Sequence, residues 1–354
     1  MIYREAGQLR ASYAEDQRIF PIRQDRYAIA ALLVLAFGVI PALANDYWLS
    51  GILIPFLILS LAALGLNILT GYTGQLSLGT AGFMAVGAFA TFNLMLRVPH
   101  MPFLLAVALA GLIAALVGIF FGLSSLRIKG FYLAVATLAA QFFIEWLFTH
   151  FGWFSNYNPS GVITAQTVDI LGYEFVSPRS KYLLTLGIVG VLALAAKNMV
   201  RTETGRLWMA VRDMDYAAEV IGIRITRTKL LAFAVSSFYC GVAGALWAYV
   251  YLGTVEPQAF TLERSFQVLF MIIIGGVGSI LGSFLGAAFI VLMPILLNVT
   301  AHTLFPGVNT GLLSNLELII FGALIVMFLA LEPHGLARLW QIGKEKLRLW
   351  PFPY

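Results

Sequence analysis

The chain has 354 residues, of which 60% are hydrophobic and only 11% charged, and its formal net charge is +5. That balance excludes an ordinary water-soluble domain, in which about 25% of residues are charged, and predicts an all-α, polytopic membrane protein. A single cysteine, Cys240 within an apolar run, excludes a disulfide framework and a cysteine-based metal site.

Residues 1–26 are mixed in charge and precede a full-length apolar block, so they read as a cytoplasmic N-terminal tail rather than a cleaved signal peptide. Blocks able to cross a bilayer core of about 20 residues fall at 27–44, 49–70, 78–96, 103–125, 131–150, 181–198, 229–251 and 315–331. A further block, 266–298, is too long for one simple span and is interrupted by Gly275, Gly276 and Gly278, so it reads as two shorter crossings or a re-entrant pair. With the N-terminus inside, eighteen of the twenty-two Lys and Arg residues lie on the cytoplasmic side, all but Arg97, Arg179, Lys181 and Arg264. Positive charge is thus distributed by membrane side and gives no argument for nucleic acid. Both termini are then cytoplasmic, which requires an even number of crossings: about ten, with eight as the alternative. A transmembrane region over 27–336 is followed by a cytoplasmic C-terminal tail, 337–354.

The first block with unusual chemistry is 71–83, which places Gly71, Gly74, Gly79 and Gly82 among Tyr72, Thr73, Gln75, Ser77 and Thr80. Backbone that leaves helical geometry at membrane depth is tolerated only where protein or a watery cavity satisfies it. Ala106, Ala110, Ala114, Gly118 and Gly122 then form a small-residue stripe at a spacing of four, the pattern of a helix that packs closely on another. Glu145 is an acid inside an apolar block, near its predicted outer end, where snorkelling or an interhelical hydrogen bond accounts for it. The outward loop 152–180 mixes aromatic, Asn, Pro and Gly residues and is either a structured connector or a contact for a substrate-delivering protein.

The interval 201–229 carries ten charged residues between apolar blocks and reads as a helix from Arg206 to Ile221. Thr204 or Gly205 serves as its N-cap and Gly222 stands where a left-handed C-terminal cap belongs. Leu207, Val211, Met214, Ala218 and Ile221 share one face. Farther on, Ser237, Gly241 and Ala245 form a second small-residue stripe, and Ile274 to Ala287 repeats the glycine-interrupted pattern of 71–83. Glycine-broken apolar segments in both halves of a transporter point to discontinuous helices lining a pathway, although tight turns between short helices explain the glycines equally. On the pathway reading the candidates are Gly71, Gly74, Gln75, Ser77 and Gly79 with Gly275, Gly276 and Gly278, Gln75 and Ser77 supplying hydrogen bonds. Glu317 is the second acid inside a block. No G-x-x-x-x-G-K-[ST] loop occurs, and the four histidines are scattered, so the chain predicts neither a nucleotide site nor an enzyme.

These blocks, G-Y-T-G-Q-L-S-L-G-T-A-G-F, L-R-I-K-G-F-Y-L-A-V-A-T-L, the 205–233 segment, G-V-A-G-A-L, I-I-G-G-V-G-S-I-L-G-S-F-L-G-A and E-P-H-G-L, resemble in order those of the inner-membrane permease subunits of branched-chain amino acid ABC importers. The resemblance covers about residues 50–337. It implies a second, often non-identical permease subunit, two cytoplasmic ATPase subunits that bind the ATP, and a periplasmic substrate-binding protein, with no cofactor of the chain's own, in a bacterial inner membrane. It makes 199–228 the segment that sits on the ATPase, with Arg206, Arg212, Asp213, Asp215, Ala217, Ala218, Glu219 and Gly222 as coupling residues. Ala217 to Ile223 is similar to the EAA-type loop of such permeases, except that Tyr216 displaces the acidic opening. Where many relatives carry T-G-G-S-x-G-L, this chain has Phe154 to Val162, so a branched-chain amino acid substrate is an expectation from the group. An ion-coupled secondary transporter of a small polar or organic-acid solute is the alternative, and it needs an embedded ion or proton site such as Glu145 or Glu317.

Overall fold

The computed structural model describes residues 23–125, 131–158, 162–166, 169–170, 173–304 and 335–349, with isolated positions between 316 and 330. The predicted block 315–331 lies largely outside these residues, as do Glu317, Arg127 and Lys129.

Helix α1 (Arg23–Val34) continues through a π turn, Leu35–Val39, to Leu43. Helix α2 (Ile54–Asn67) is flanked by π turns at Trp48–Leu53 and Ile68–Tyr72, so that the helical stretch runs unbroken from Trp48 to Tyr72. After a non-helical stretch the chain resumes as α3 (Thr80–Arg97), α4 (Phe103–Ser125) and α5 (Phe131–His150). Two short antiparallel pairs follow from the predicted outer loop: β1 (Ile163–Thr164) pairs with β4 (Thr254–Val255), and β2 (Asp169–Ile170) pairs with β3 (Tyr173–Glu174). Helix α6 (Pro178–Arg201) leads into the short α7 (Glu203–Asp213) and α8 (Asp215–Val220), then α9 (Ile225–Leu246) with its π extension Trp247–Leu252. Helices α10 (Leu262–Gly275), α11 (Ile280–Leu304) and α12 (Gly335–Leu349) complete the described chain. The long apolar block is therefore divided at Gly276–Ser279 into two helices.

Seven helical stretches among the described residues are long and apolar enough to cross a membrane. Their outward faces carry Leu116, Phe120, Phe142 and Val191 in exposed positions, which suits lipid and would be a liability in water. The core lies along α2, α3 and α9, whose side chains are mostly buried. Lipid gives helices no hydrophobic reason to associate, so close backbone approach and dispersion must do it. The two small-residue stripes meet for this purpose: a methyl group at Gly118 would strike Ser237, one at Gly122 would press on Phe233, and one at Gly241 would reach Ala114. Helices α4 and α9 thus run antiparallel at the separation their small residues permit.

The interval read as one helix from Arg206 to Ile221 is two. Met214 adopts φ −155° and ψ 96°, which ends α7 and redirects the chain into α8. Local polar bonds favour the break, because Arg212 Nε donates to Asp213 at 2.9 Å and Asp215 on the far side pairs with Lys229 of α9 at 3.7 Å. Trp208 is fully buried and donates its indole N–H to the Thr228 carbonyl at 3.2 Å, fixing α7 on α9. The predicted apolar face is correspondingly divided: Val211 and Ala218 are buried, whereas Met214 and Ile221 are 70% and 75% exposed. Helix α7 starts at Glu203, one residue ahead of the predicted caps, after Thr202. Gly222 has φ +92°, as a left-handed helix terminus requires.

Candidate translocation and coupling site

Residues Thr73 to Gly79 form the first interruption. The carbonyls and amides freed there find partners inside the protein, as backbone at such a depth must. Gln75 is buried, donates its side-chain amide to Thr73 Oγ1 at 3.0 Å, and returns its backbone N–H to the Leu69 carbonyl at 3.2 Å. Ser77 is also buried, and its hydroxyl accepts the Gly79 N–H at 3.4 Å. Both candidate pathway side chains therefore hydrogen-bond within their own segment in this conformation.

Beyond the interruption, α3 begins with amides that have no partner within the helix. Its N-terminal residue side is Gly79, which offers no side-chain cap. Other helices supply the acceptors. Thr137 Oγ1 on α5 accepts the Leu78 N–H at 2.9 Å, Ser265 Oγ on α10 accepts the Ala81 N–H at 2.9 Å, and Gln141 Oε1 accepts the Gly82 N–H. Gln141 also donates to the Phe260 carbonyl at 2.8 Å. Two helices distant in sequence thus hold the restart of α3.

The second interruption, Gly276 to Ser279, packs on the end of the helical stretch that precedes the first. A Cβ at Gly71 would collide with the backbone of Gly278 and with Asn67 Oδ1. Asn67, fully buried at the end of α2, joins the two: Oδ1 accepts the Gly278 N–H at 2.8 Å, while Nδ2 donates to the Ser279 carbonyl at 2.8 Å and to Ser283 Oγ at 2.9 Å. Gly275 lies against Gly282 and Gly286, which brings α10 and α11 into backbone contact, and Gly276 touches Gly335 at the start of α12.

The coupling interval reaches this junction. Arg212 of α7 donates from Nη1 to the Gly71 carbonyl at 3.0 Å, and its aliphatic stem covers Gly74. Of the other predicted coupling residues, Arg206, Asp213, Ala217, Glu219 and Gly222 are exposed, Asp215 pairs with Lys229, and Ala218 is buried. Four apolar side chains, Met214, Tyr216, Val220 and Ile221, project from the α7–α8 bend at 70–88% exposure. The structure therefore brings Gly71, Gly74, Gly278 and Arg212 together, with Gly275 and Gly276 adjoining, and places Gly79 apart, against the Thr137 carbonyl.

Asn67, Thr137, Gln141 and Ser265 are the residues that sequence reasoning passed over. For three of them the signal was present: Asn67, Thr137 and Gln141 are polar side chains in apolar blocks, and Thr137 and Gln141 stand one helical turn apart, whereas Ser265 lies just ahead of its block among Glu263, Arg264 and Gln267. Glu145 is half-buried five residues from the end of α5, and no ion pair to it forms among the described residues, which fits snorkelling.

The family described as "branched-chain amino acid transport system / permease component" matches residues 48–329. Among similar proteins, the high-affinity branched-chain amino acid transport system permease protein LivM of Salmonella typhimurium is 30% identical over 296 residues, 77% of this chain and 66% of that protein. The probable branched-chain amino acid transport permease protein LivM of Methanocaldococcus jannaschii is 24% identical over 81% of this chain and 92% of its own. The autoinducer 2 import system permease protein LsrC of Enterobacter sp. is 31% identical over 75% of this chain and 78% of its own. The chain thus spans slightly less than two thirds of the Salmonella relative's length. No solved structure matches.

Proposed function

The chain belongs to the branched-chain amino acid transport permease family, a family of membrane transport permeases rather than enzymes, and from that premise we propose that it forms part of the membrane pathway of an ATP-driven importer for small amino acids. Its setting is the inner membrane of a bacterium, with ten crossings and both termini in the cytoplasm. ATP is bound by two partner ATPase subunits, a second permease completes the pathway, and a periplasmic protein delivers the substrate. The amino acid class follows from the relatives named for it, although a relative named for autoinducer 2 import is also 31% identical.

The observation that carries this reading is the Arg212–Gly71 hydrogen bond of 3.0 Å. It connects the polar α7–α8 bend, the surface offered to an ATPase, to the junction of both interrupted segments. Closure of the ATPase dimer would displace the bend, Arg212 would carry that displacement to Gly71, and Asn67 would pass it to Gly278. Helices α10 and α11 then reorient, and access alternates from one side to the other. Allosteric coupling of this kind needs a bistable element that both sites bias, and the glycine junction is that element here.

In proteoliposomes containing the complete transporter, Arg212→Ala should keep the ATPase bound and hydrolysing while amino acid uptake falls by about tenfold or more, since a hydrogen bond from a charged donor is worth roughly 1.5–3 kcal/mol. Wild-type uptake in that variant sinks the coupling route. Changes at Glu219 and Gly222 should weaken ATPase association or uncouple transport without unfolding the membrane region.

A further inference from the structure

Arg264 is a half-buried cation that forms no ion pair among the described residues. It occupies the first turn of α10, one residue before Ser265, whose buried hydroxyl caps the restart of α3. Its side chain is half-buried and Nε is closed off without a hydrogen-bond partner. Nη1 donates to Gln267 Oε1 at 2.5 Å, and the guanidinium carbon stands 4.5 Å from the centre of the Trp247 ring. Among the described residues no carboxylate forms an ion pair with it; Glu263, beside it in sequence, is exposed.

A second orphan lies in the same place. Trp247 is 4% exposed, and its indole N–H has no partner. It opens the π-helical extension of α9, a backbone form that recurs at functional sites. Buried polar groups are nearly always hydrogen-bonded, so each exception requires an explanation. Two N–H donors without acceptors, Arg264 Nε and the Trp247 indole N–H, one of them on a cation, suit an anionic acceptor. The guanidinium edge that carries Nε is the one suited to a planar carboxylate.

We propose that Arg264 and Trp247 form a carboxylate-binding station on the translocation pathway, receiving the α-carboxylate of the amino acid as it leaves the delivery protein. This inference rests on the importer reading above. The Nε edge of Arg264 makes charge-assisted hydrogen bonds to the carboxylate, and the indole N–H donates to the same group. In the present conformation the edge is sealed, and it opens when the bundle changes its side of access. Because Ser265 is the next residue, occupancy of the station is communicated to the start of α3.

The test uses the complete transporter in proteoliposomes with leucine as the probe. Arg264→Gln should lower leucine uptake by about tenfold or more and Trp247→Phe by several-fold, in complexes that still copurify with their ATPase. Arg264→Cys then separates charge from packing: the chain's own Cys240 is buried, and the complex with residue 264 unchanged, treated with the same reagents, controls for thiols of the partner subunits. Modification with 2-aminoethyl methanethiosulfonate should restore uptake, whereas the neutral methyl reagent should not. Leucine uptake at the wild-type rate in Arg264→Gln, or equal rescue by both reagents, overturns the assignment alone. A wild-type complex that moves only solutes lacking a carboxylate overturns both this assignment and the amino acid reading beneath it.

Discussion

At the scale of single residues, Asn67 carries the largest share of the junction's order. Its fully buried side chain makes three hydrogen bonds, so Asn67→Leu strands the Gly278 N–H and removes one of the donors to the Ser279 carbonyl, which keeps the Ser283 N–H. The Gly278 N–H left unpaired costs about 1–3 kcal/mol, and the variant should unfold at a lower temperature in detergent. An unchanged melting temperature would mean that the interruption tolerates loss of its bridge. Gly71→Ala adds a different strain, because the new methyl meets Asn67 and Gly278 at once; overpacking of this kind costs about 1–3 kcal/mol. Sequence reasoning located both glycine segments through their composition. It had no means of pairing them, since the bond that does so joins residues 211 apart through one asparagine amide in an apolar block.

At the scale of elements, the stripes on α4 and α9 were readable as helix contacts because small residues every fourth position serve one purpose in lipid, while their meeting each other is seen only in the fold. The same logic makes Gly244 intolerant: a side chain there would run into the backbone at Met84 of α3. Gly244→Val should therefore destabilise the bundle, while Gly190→Ala on α6, where a methyl meets open space, should leave the melting temperature unchanged. The α7–α8 segment was legible as a polar helix on the membrane's edge but not as a bend. Periodicity counts apolar spacing, and the break at Met214 comes instead from the Arg212–Asp213 and Asp215–Lys229 pairs on either side. Val220 projects from α8 at 88% exposure. Val220→Asp should reduce copurification of the ATPase without lowering the thermal midpoint, because the side chain contributes little to the core and much to an apolar contact surface.

At the scale of the whole molecule, a bundle with two interrupted helices locked together at one junction has few ways to move. The capping of α3 by Thr137, Gln141 and Ser265 ties that helix to α5 and α10, and Arg212 ties the junction to the bend. Force applied at the bend is thus delivered to the interruptions rather than dissipated along continuous helices. The central claim is that ATP hydrolysis by a partner drives uptake through this chain. Its most direct test is leucine uptake into proteoliposomes holding the purified complex, with ATP on the ATPase side and a proton ionophore present. The account predicts uptake that requires ATP, persists with the ionophore and is lost when the ATPase is inactivated. Uptake by this chain without an ATPase, collapsing when the ionophore is added, would contradict it.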